Sequence, residues 1–260
     1  MSGIRAPESR SRVVDTVTVR AVAVSAFLFL FSLSGLFPFT LEPMSSTVSD
    51  TGTGTVATFR IENEGQDRVA IRVSVLSREV AEDGKETNQG TGDRFLVFPS
   101  RFVVEPGAQR AFKIQWRGGP VGEGEAAFRV IAEQVPVEFE KRDGSGITLL
   151  FRYVGALYVR PNGAKPAEIH LASVSGLNQG SFRGLEVLLE NRGGIHSILA
   201  DPVLEIETLP GFFTRIVGDA LESLEGQNVL NGTRRRFLVP WEQAEEGSRY
   251  TGHFSYDAER

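Results

Sequence analysis

From Leu41 onward the chain is written in a period of two. Ala57, Phe59 and Ile61 alternate with Arg60 and Glu62; Val69, Ile71, Val73 and Val75 alternate with Arg72 and Ser74; Phe112, Ile114 and Trp116 alternate with Lys113 and Gln115. Successive side chains of an extended strand point to opposite faces, so each run buries one face and wets the other. No long stretch carries the three-to-four spacing of an amphipathic helix. Turn-formers punctuate the runs, as at Asn63-Glu64-Gly65 and Glu105-Pro106-Gly107-Ala108,. Short alternating strands separated by such turns restrict the fold to an antiparallel, all-β sandwich. Two further runs, 126–135 and 147–159, flank a polar loop at 138–146.

Arg160-Pro161-Asn162-Gly163, with Pro166 close behind, interrupts the pattern and places a domain boundary there,. The remainder is again β. Leu185, Val187 and Leu189 share a parity, Tyr250, Phe254 and Tyr256 share another, and apolar runs lie at 203–207, 212–217 and 236–240. Residues 41–160 and 161–260 thus fit two consecutive immunoglobulin-like sandwiches, of about 100 to 120 residues each. No internal repeat is evident between the halves.

The chemistry available is narrow. In 260 residues there is no cysteine, which removes thiol nucleophiles, thiolate zinc sites and disulfide stapling,. His170, His196 and His253 are scattered, so no metal site, cofactor site or nucleophile–base pair is expected, and the chain reads as a non-enzyme,. A formal charge of −5 gives no footprint for nucleic acid,. The glycines at 118–124 lack the Lys-Ser/Thr of a phosphate cradle. Arg234-Arg235-Arg236 reads as a solvated strand end. Arg129 reads as a structural bond within an apolar strand, Trp116 and Trp241 as core or hinge packing, and Asn231-Gly232-Thr233 as a backbone turn,.

Residues 1–20 carry Arg5, Arg10, Arg12 and Arg20, and residues 21–37 run without a charge before Pro38. This reads as a signal peptide over 1–34, cleaved near Ser32 or Ser34, and hence as export to the periplasm. An uncleaved inner-membrane anchor is the competing reading, because the apolar run reaches the lower limit for spanning a bilayer. Cleavage removes four arginines and two acids and moves the formal charge from −5 to −7.

One strand does not fit a plain sandwich. Ile147, Leu149, Phe151 and Tyr153 form one row, and Thr148, Leu150, Arg152 and Val154 form the other, so both faces are largely apolar,. Such a strand is either covered on both sides, left as a wet edge, or offered to another polypeptide by β-augmentation. Four such side chains, at about 1.5 to 3 kcal/mol each on burial, would supply much of a strong interface.

The order of these segments resembles the periplasmic chaperones of pilus and fimbria assembly. The residues that carry it are Glu105-Pro106-Gly107, then 112–116, then Phe128-Arg129-Val130 running to Gln134-Val135-Pro136, then a polar loop, a long strand and Tyr158-Val159-Arg160-Pro161. In the second half Leu189-Glu190-Asn191-Arg192-Gly193-Gly194 before His196, and 228–234 before Phe237, are similar to strand and turn positions of that family. The resemblance implies a boomerang of two immunoglobulin-like domains with a cleft between them. It also implies donor-strand complementation, in which Ile147, Leu149, Phe151 and Tyr153 fill the groove of a pilin subunit that lacks its last strand. Partners would be fimbrial subunits and an outer-membrane usher, with self-capping as a dimer left open. Members of the family commonly hold the subunit's terminal carboxylate with two basic residues. Here one of those positions falls on Ala156 and the first-strand stretch, 41–48, holds no basic residue, so Arg152, four residues upstream on the face of Ala156, is the substitute anchor. The alternative from another class is a structural or adhesive exported protein of two immunoglobulin-like domains, without chaperone activity.

Overall fold

The computed structural model describes residues 39–136 and 149–258. The expected signal peptide, the whole 138–146 loop, Ile147 and Thr148 lie outside the described residues. The first half contains β1 (Thr40–Glu42), β2 (Ser45–Ser49), β3 (Val56–Glu62), β4 (Val69–Ser77), β5 (Glu79–Val80), β6 (Glu86–Thr87), β7 (Phe95–Phe98), β8 (Arg101–Val104), β9 (Gln109–Trp116), β10 (Ala126–Gln134) and β11 (Arg152–Arg160). One sheet runs β1-β3-β9-β7 and the facing sheet β2-β11-β10-β4-β8. The alternation behaves as the sequence requires: Ala57, Phe59 and Ile61 of β3, Phe112, Ile114 and Trp116 of β9, and Val69, Ile71, Val73 and Val75 of β4 are all buried in one core. Phe128 sits at its centre, edge-on to Phe95 at 4.8 Å and tilted against Trp116 at 5.6 Å,.

The chain enters this sandwich by changing sheets. β1 pairs antiparallel with β3, and β2, two residues later, pairs parallel with β11 from Ala156 to Arg160.

The second half contains β12 (Ile169–Gln179), β13 (Phe182–Asn191), β14 (Ser197–Leu209), β15 (Phe212–Ile216), β16 (Asn228–Val229), β17 (Arg234–Pro240), β18 (Arg249–Tyr250) and β19 (Gly252–Ala258). Its sheets are β17-β13-β12-β18 and a second built on β14, which pairs β15, β16 and β19. Leu185, Val187 and Leu189 face Leu199, Leu204, Ile206, Phe237 and Phe254 across a separate core. The protein is therefore all-β, two immunoglobulin-like sandwiches in series.

The two halves do repeat, contrary to the sequence reading. Ile61-Glu62-Asn63-Glu64-Gly65 and Leu189-Glu190-Asn191-Arg192-Gly193 hold the same pin. Asn63 Nδ2 donates to the carbonyls of Asp67 and Val104, and its Oδ1 accepts from Gly65 N–H. Asn191 Nδ2 donates to the carbonyls of Ile195 and Val229, and its Oδ1 accepts from the N–H groups of Gly193 and Glu168. Each asparagine also exchanges backbone bonds with a distant turn: Asn63 N–H to Ala108 O and Gly107 N–H to Asn63 O, Asn191 N–H to Thr233 O and Gly232 N–H to Asn191 O. Gly107 and Gly232 take φ of 68° and 66°, the left-handed region those turns need,. Both side chains are fully buried and fully paired,.

Candidate functional site

The two rows of β11 have different neighbours. Tyr153, Gly155, Leu157 and Val159 face inward, and Leu157 and Val159 lie in the first core beside Phe128 and Val130. Phe151 and Tyr153 continue this row toward the open side of the sandwich and pack against the core while only partly buried; Tyr153 lies 4.9 Å from the ring of Phe39. Leu149, next in the row, is 64% exposed. The row is thus a core row that runs out of its own sandwich.

Its backbone does the same. Ala156 N–H points away from β10 and donates to Met44 O at 2.8 Å. Alternation puts the N–H and C=O groups of Val154 and Arg152 on that same side. The β2 pairing begins only at Ala156, so among the described residues no strand lies beside that edge upstream of it.

The regular strand is shorter than the sequence suggests. Among the described residues β11 begins at Arg152 and leaves 149–151 outside it, because β10 ends at Gln134, whose N–H closes the ladder on Phe151 O. The opposite row is also less apolar than expected: Leu150 and Val154 are exposed, and Arg152 lies opposite Glu133, whose carboxylate binds Arg72 at 2.7 Å.

Farther along the outward row the surface turns polar and meets the second sandwich. Ala156 stands opposite Arg129 of β10. Arg129 donates from Nε to Glu86 Oε1 at 2.8 Å and from Nη2 to Glu86 Oε2, and Arg78 Nε donates to the same carboxylate at 3.0 Å. The Arg129 hydrogen bond is the largest cause that holds the Glu86 carboxyl down at about 2 against the opposing effect of burial,. Arg78 Nη1 also donates to the Tyr158 hydroxyl, which accepts a second bond from Asn228 Nδ2 of the second sandwich at 2.8 Å. Burial pushes the Tyr158 hydroxyl above its usual range.

Glu125 joins the halves. Its side chain is 0% exposed. Arg160 donates from Nε and Nη2 to Oε2 at 3.1 and 3.0 Å, while His196 donates its backbone N–H to Oε1 at 2.6 Å and sets Nδ1 against the same oxygen. That contact assigns the His196 proton to Nδ1. The imidazole lies flat on Tyr158, centroids 3.7 Å apart and 12° between planes. Burial alone would raise the Glu125 carboxyl, but the hydrogen bonds from His196 and Arg160 prevail and hold it below the ordinary carboxylate range,.

The structure brings Leu149, Phe151 and Tyr153 onto one edge and leaves His170 beside Glu168 and His253 exposed on β19, far apart in the topology. It corrects two readings. Arg235 is not solvated: it shares the inward parity of Phe237 and Val239 and is 8% exposed. His196 is not an idle turn residue but half of the junction. Glu86, Arg78 and Glu125 were not singled out from the sequence, and Asn228 only as the first residue of the 228–234 stretch.

Residues 41–165 match the family described as pili and flagellar-assembly chaperone, PapD N-terminal domain. No curated protein matches the sequence. Among solved structures, the chain is similar to the chaperone–tip subunit pre-assembly complex CsuC-CsuE from archaic chaperone-usher Csu pili of Acinetobacter baumannii, with 14% identity, TM-score 0.56, and coverage of 82% of this chain and 97% of that one. It is also similar to the YadV chaperone, at 14% identity, TM-score 0.53, and coverage of 85% and 93%. A third likeness is to the Salmonella enterica SafA pilin in complex with the SafB chaperone, at 19% identity, TM-score 0.51, and coverage of 85% and 97%. At such identities the likeness shows the two-sandwich fold. Residues 41–165, the first sandwich and the start of the second half, match that chaperone family's N-terminal domain, and the chain as a whole shares the two-sandwich fold of the solved pilus chaperones.

Proposed function

We propose that the protein is a non-enzymatic periplasmic chaperone that holds fimbrial subunits by donor-strand complementation and delivers them to an outer-membrane usher. The observation that carries this reading is the edge of β11. A core row, Val159 and Leu157 through Tyr153 and Phe151 to Leu149, runs out of its sandwich, and among the described residues no strand pairs with the β11 edge upstream of Ala156. A subunit that lacks a strand exposes a groove with the complementary needs, apolar pockets at alternate positions and backbone groups without partners. Ile147, Leu149, Phe151 and Tyr153 fill those pockets in this reading, and strand pairing supplies the directionality, so no cofactor is required. Arg152, on the outward row of the same strand, is the anchor for a subunit carboxylate within β11.

A structural or adhesive role without a client would predict that the edge is covered by the protein's own chain; among the described residues no strand covers it upstream of Ala156, which favours the chaperone. The test is co-expression of the exported protein with a pilin-like subunit deprived of its last strand. A stable complex that is lost with Leu149→Asp plus Phe151→Asp supports the reading. Absence of any complex, or a complex indifferent to both substitutions, overturns it. Arg152→Ala with unchanged affinity removes that residue from the proposal.

A further inference from the structure

The hairpin of β14 and β15 carries apolar surface out of the second sandwich. Leu204 pairs with Ile216 over the core, Ile206 with Thr214, and, after a bulge, Leu209 with Phe212. Leu209 and Phe212 therefore share the parity of the buried Leu204 and Ile216, yet they are 64% and 69% exposed, and Phe213 on the other face is 60% exposed,. None of the three is among the apolar side chains packed on the second core. The tip is nevertheless built: Gly211 makes the turn at a φ of 80° and donates its N–H to Glu207 Oε1 at 2.7 Å. A row of core parity thus continues past its own core on a preformed strand.

β15 is also a sheet edge. Among the described residues it has β14 on one side and no strand on the other. Glu207 N–H turns away from β15 and donates to Thr251 O at 2.8 Å, so Glu207 and Phe213 form a non-hydrogen-bonded pair, and alternation turns the backbone groups of Phe213 and Arg215 outward,. The five residues Phe212–Ile216 are complementary to themselves. Two β15 strands set antiparallel about a two-fold axis at Thr214 bring Phe213 across from Arg215 of the second copy, and Phe212 across from its Ile216. On one face each guanidinium then lies between the Glu205 of its own chain and the other copy's ring, a cation–π contact with a carboxylate behind it,. On the other face Phe212 extends the row formed by Ile216 and Leu204 of the second copy. Phe213 and Arg215, whose backbone groups face outward, are the residues that exchange hydrogen bonds. Neighbouring axes do worse: one at Arg215 opposes two guanidinium groups, and one at Phe213 sets Arg215 against Gly211.

We propose that β15 is a dimerisation edge, to which a second copy of this chain adds its own β15 antiparallel about Thr214, joining two second sandwiches through one continuous sheet. The contact uses no residue of β11, so both copies keep that edge, and the inference stands with or without a client. Five strand residues and three exposed side chains per copy bury at or below about 1,200 Å² in total, the range of weak specific contacts, so a Kd on the order of 10 to 100 µM is expected.

Sedimentation equilibrium of the exported chain, from about 1 to 500 µM, should show a monomer and a dimer in exchange. Phe213→Arg sets two cations across from each other and should raise the Kd at least about tenfold; adding Arg215→Glu restores an opposite-charge pair in that register and should recover most of the loss. Leu149→Asp plus Phe151→Asp should leave the dimer intact. Because the chain has no cysteine, Thr214→Cys supplies a single thiol. Its two copies would place their Cα atoms about 4.5 Å apart, within reach of a disulfide, so mild oxidation should give a covalent dimer. Ser255→Cys, at an exposed position on β19, should give none under the same conditions. A monomer at every concentration, a dimer indifferent to Phe213→Arg, no recovery in the double variant, or no cross-link through Thr214→Cys overturns the proposal. So does a monomer that binds phosphatidylcholine vesicles through Phe213, which assigns the tip to lipid, or one that forms a 1:1 complex with a pilin-like subunit that Phe213→Arg abolishes, which assigns it to a client.

Discussion

Replacement of Glu125 by Gln tests whether the two sandwiches behave as one unit. The carboxylate accepts two bonds from Arg160 and two contacts from His196 with no water access. Glutamine keeps the shape, and its oxygen still receives the His196 N–H, but its NH₂ meets the Arg160 donors and accepts neither. Charge-assisted bonds contribute about 1.5 to 3 kcal/mol each. Arg160 is 34% exposed and regains water, so the expected loss is smaller than for a wholly buried pair, about 2 to 4 kcal/mol at neutral pH,. The chain has two tryptophans, Trp116 in the first sandwich and Trp241 in the second. Urea unfolding followed in Trp241→Phe and Trp116→Phe backgrounds should therefore report the halves separately, with coincident midpoints when Glu125 is present and separated ones when it is Gln. The pH dependence has a fixed sign. Because the folded pKa lies below the unfolded one, the carboxylate's contribution is complete above about pH 4.3 and is lost as pH falls through the lower folded value,. The parent should lose stability in that acid window and the Gln variant should lose less. Coincident midpoints, a loss under about 0.5 kcal/mol and an unchanged acid limb would refute the argument.

Three other outcomes are expected. Asn63→Ala and Asn191→Ala each strand buried carbonyls and N–H groups, and each should cost about 2 to 4 kcal/mol, seen by the tryptophan of its own sandwich in urea titration,. Phe128→Ala opens a void between Phe95 and Trp116 and should cost about 3 to 5 kcal/mol by the same measurement,. Leu149→Asp, at an exposed position, should change stability by no more than about 0.5 kcal/mol, yet weaken subunit capture in a pull-down; a variant that unfolds would show that Leu149 serves the protein's own core,.

What the sequence disclosed and what it withheld divide along a physical line. A period of two is local, so β3, β4, β9 and β13 were legible from parity alone, and their apolar members are the ones buried. That Leu149, Phe151 and Tyr153 share one edge was legible for the same reason, and the donor role proposed for that row came from the family resemblance. The junction was not, because Glu86, Glu125, Tyr158, His196 and Asn228 come from five segments and each looks ordinary where it stands. The hairpin that carries Glu86 has strands of two charged or short residues and leaves no periodic trace.

Two signals were nevertheless present and unread. Arg235 has the parity of Phe237 and Val239, and a charge on the apolar side of a strand is either an error of register or a buried cation in need of partners,. The other is the five-residue echo from Ile61 to Gly65 and from Leu189 to Gly193, since an asparagine between a strand end and a glycine does not need length to be structural. Its amide must satisfy carbonyls from two other segments, and only one side-chain geometry does so,. The repeat is thus conserved between the halves at the level of hydrogen-bond demand while the surrounding strands, which need only parity and volume, have lost visible similarity. A sandwich likewise tolerates exchange of one apolar residue for another along its rows, so chains at 14% identity retain the architecture,.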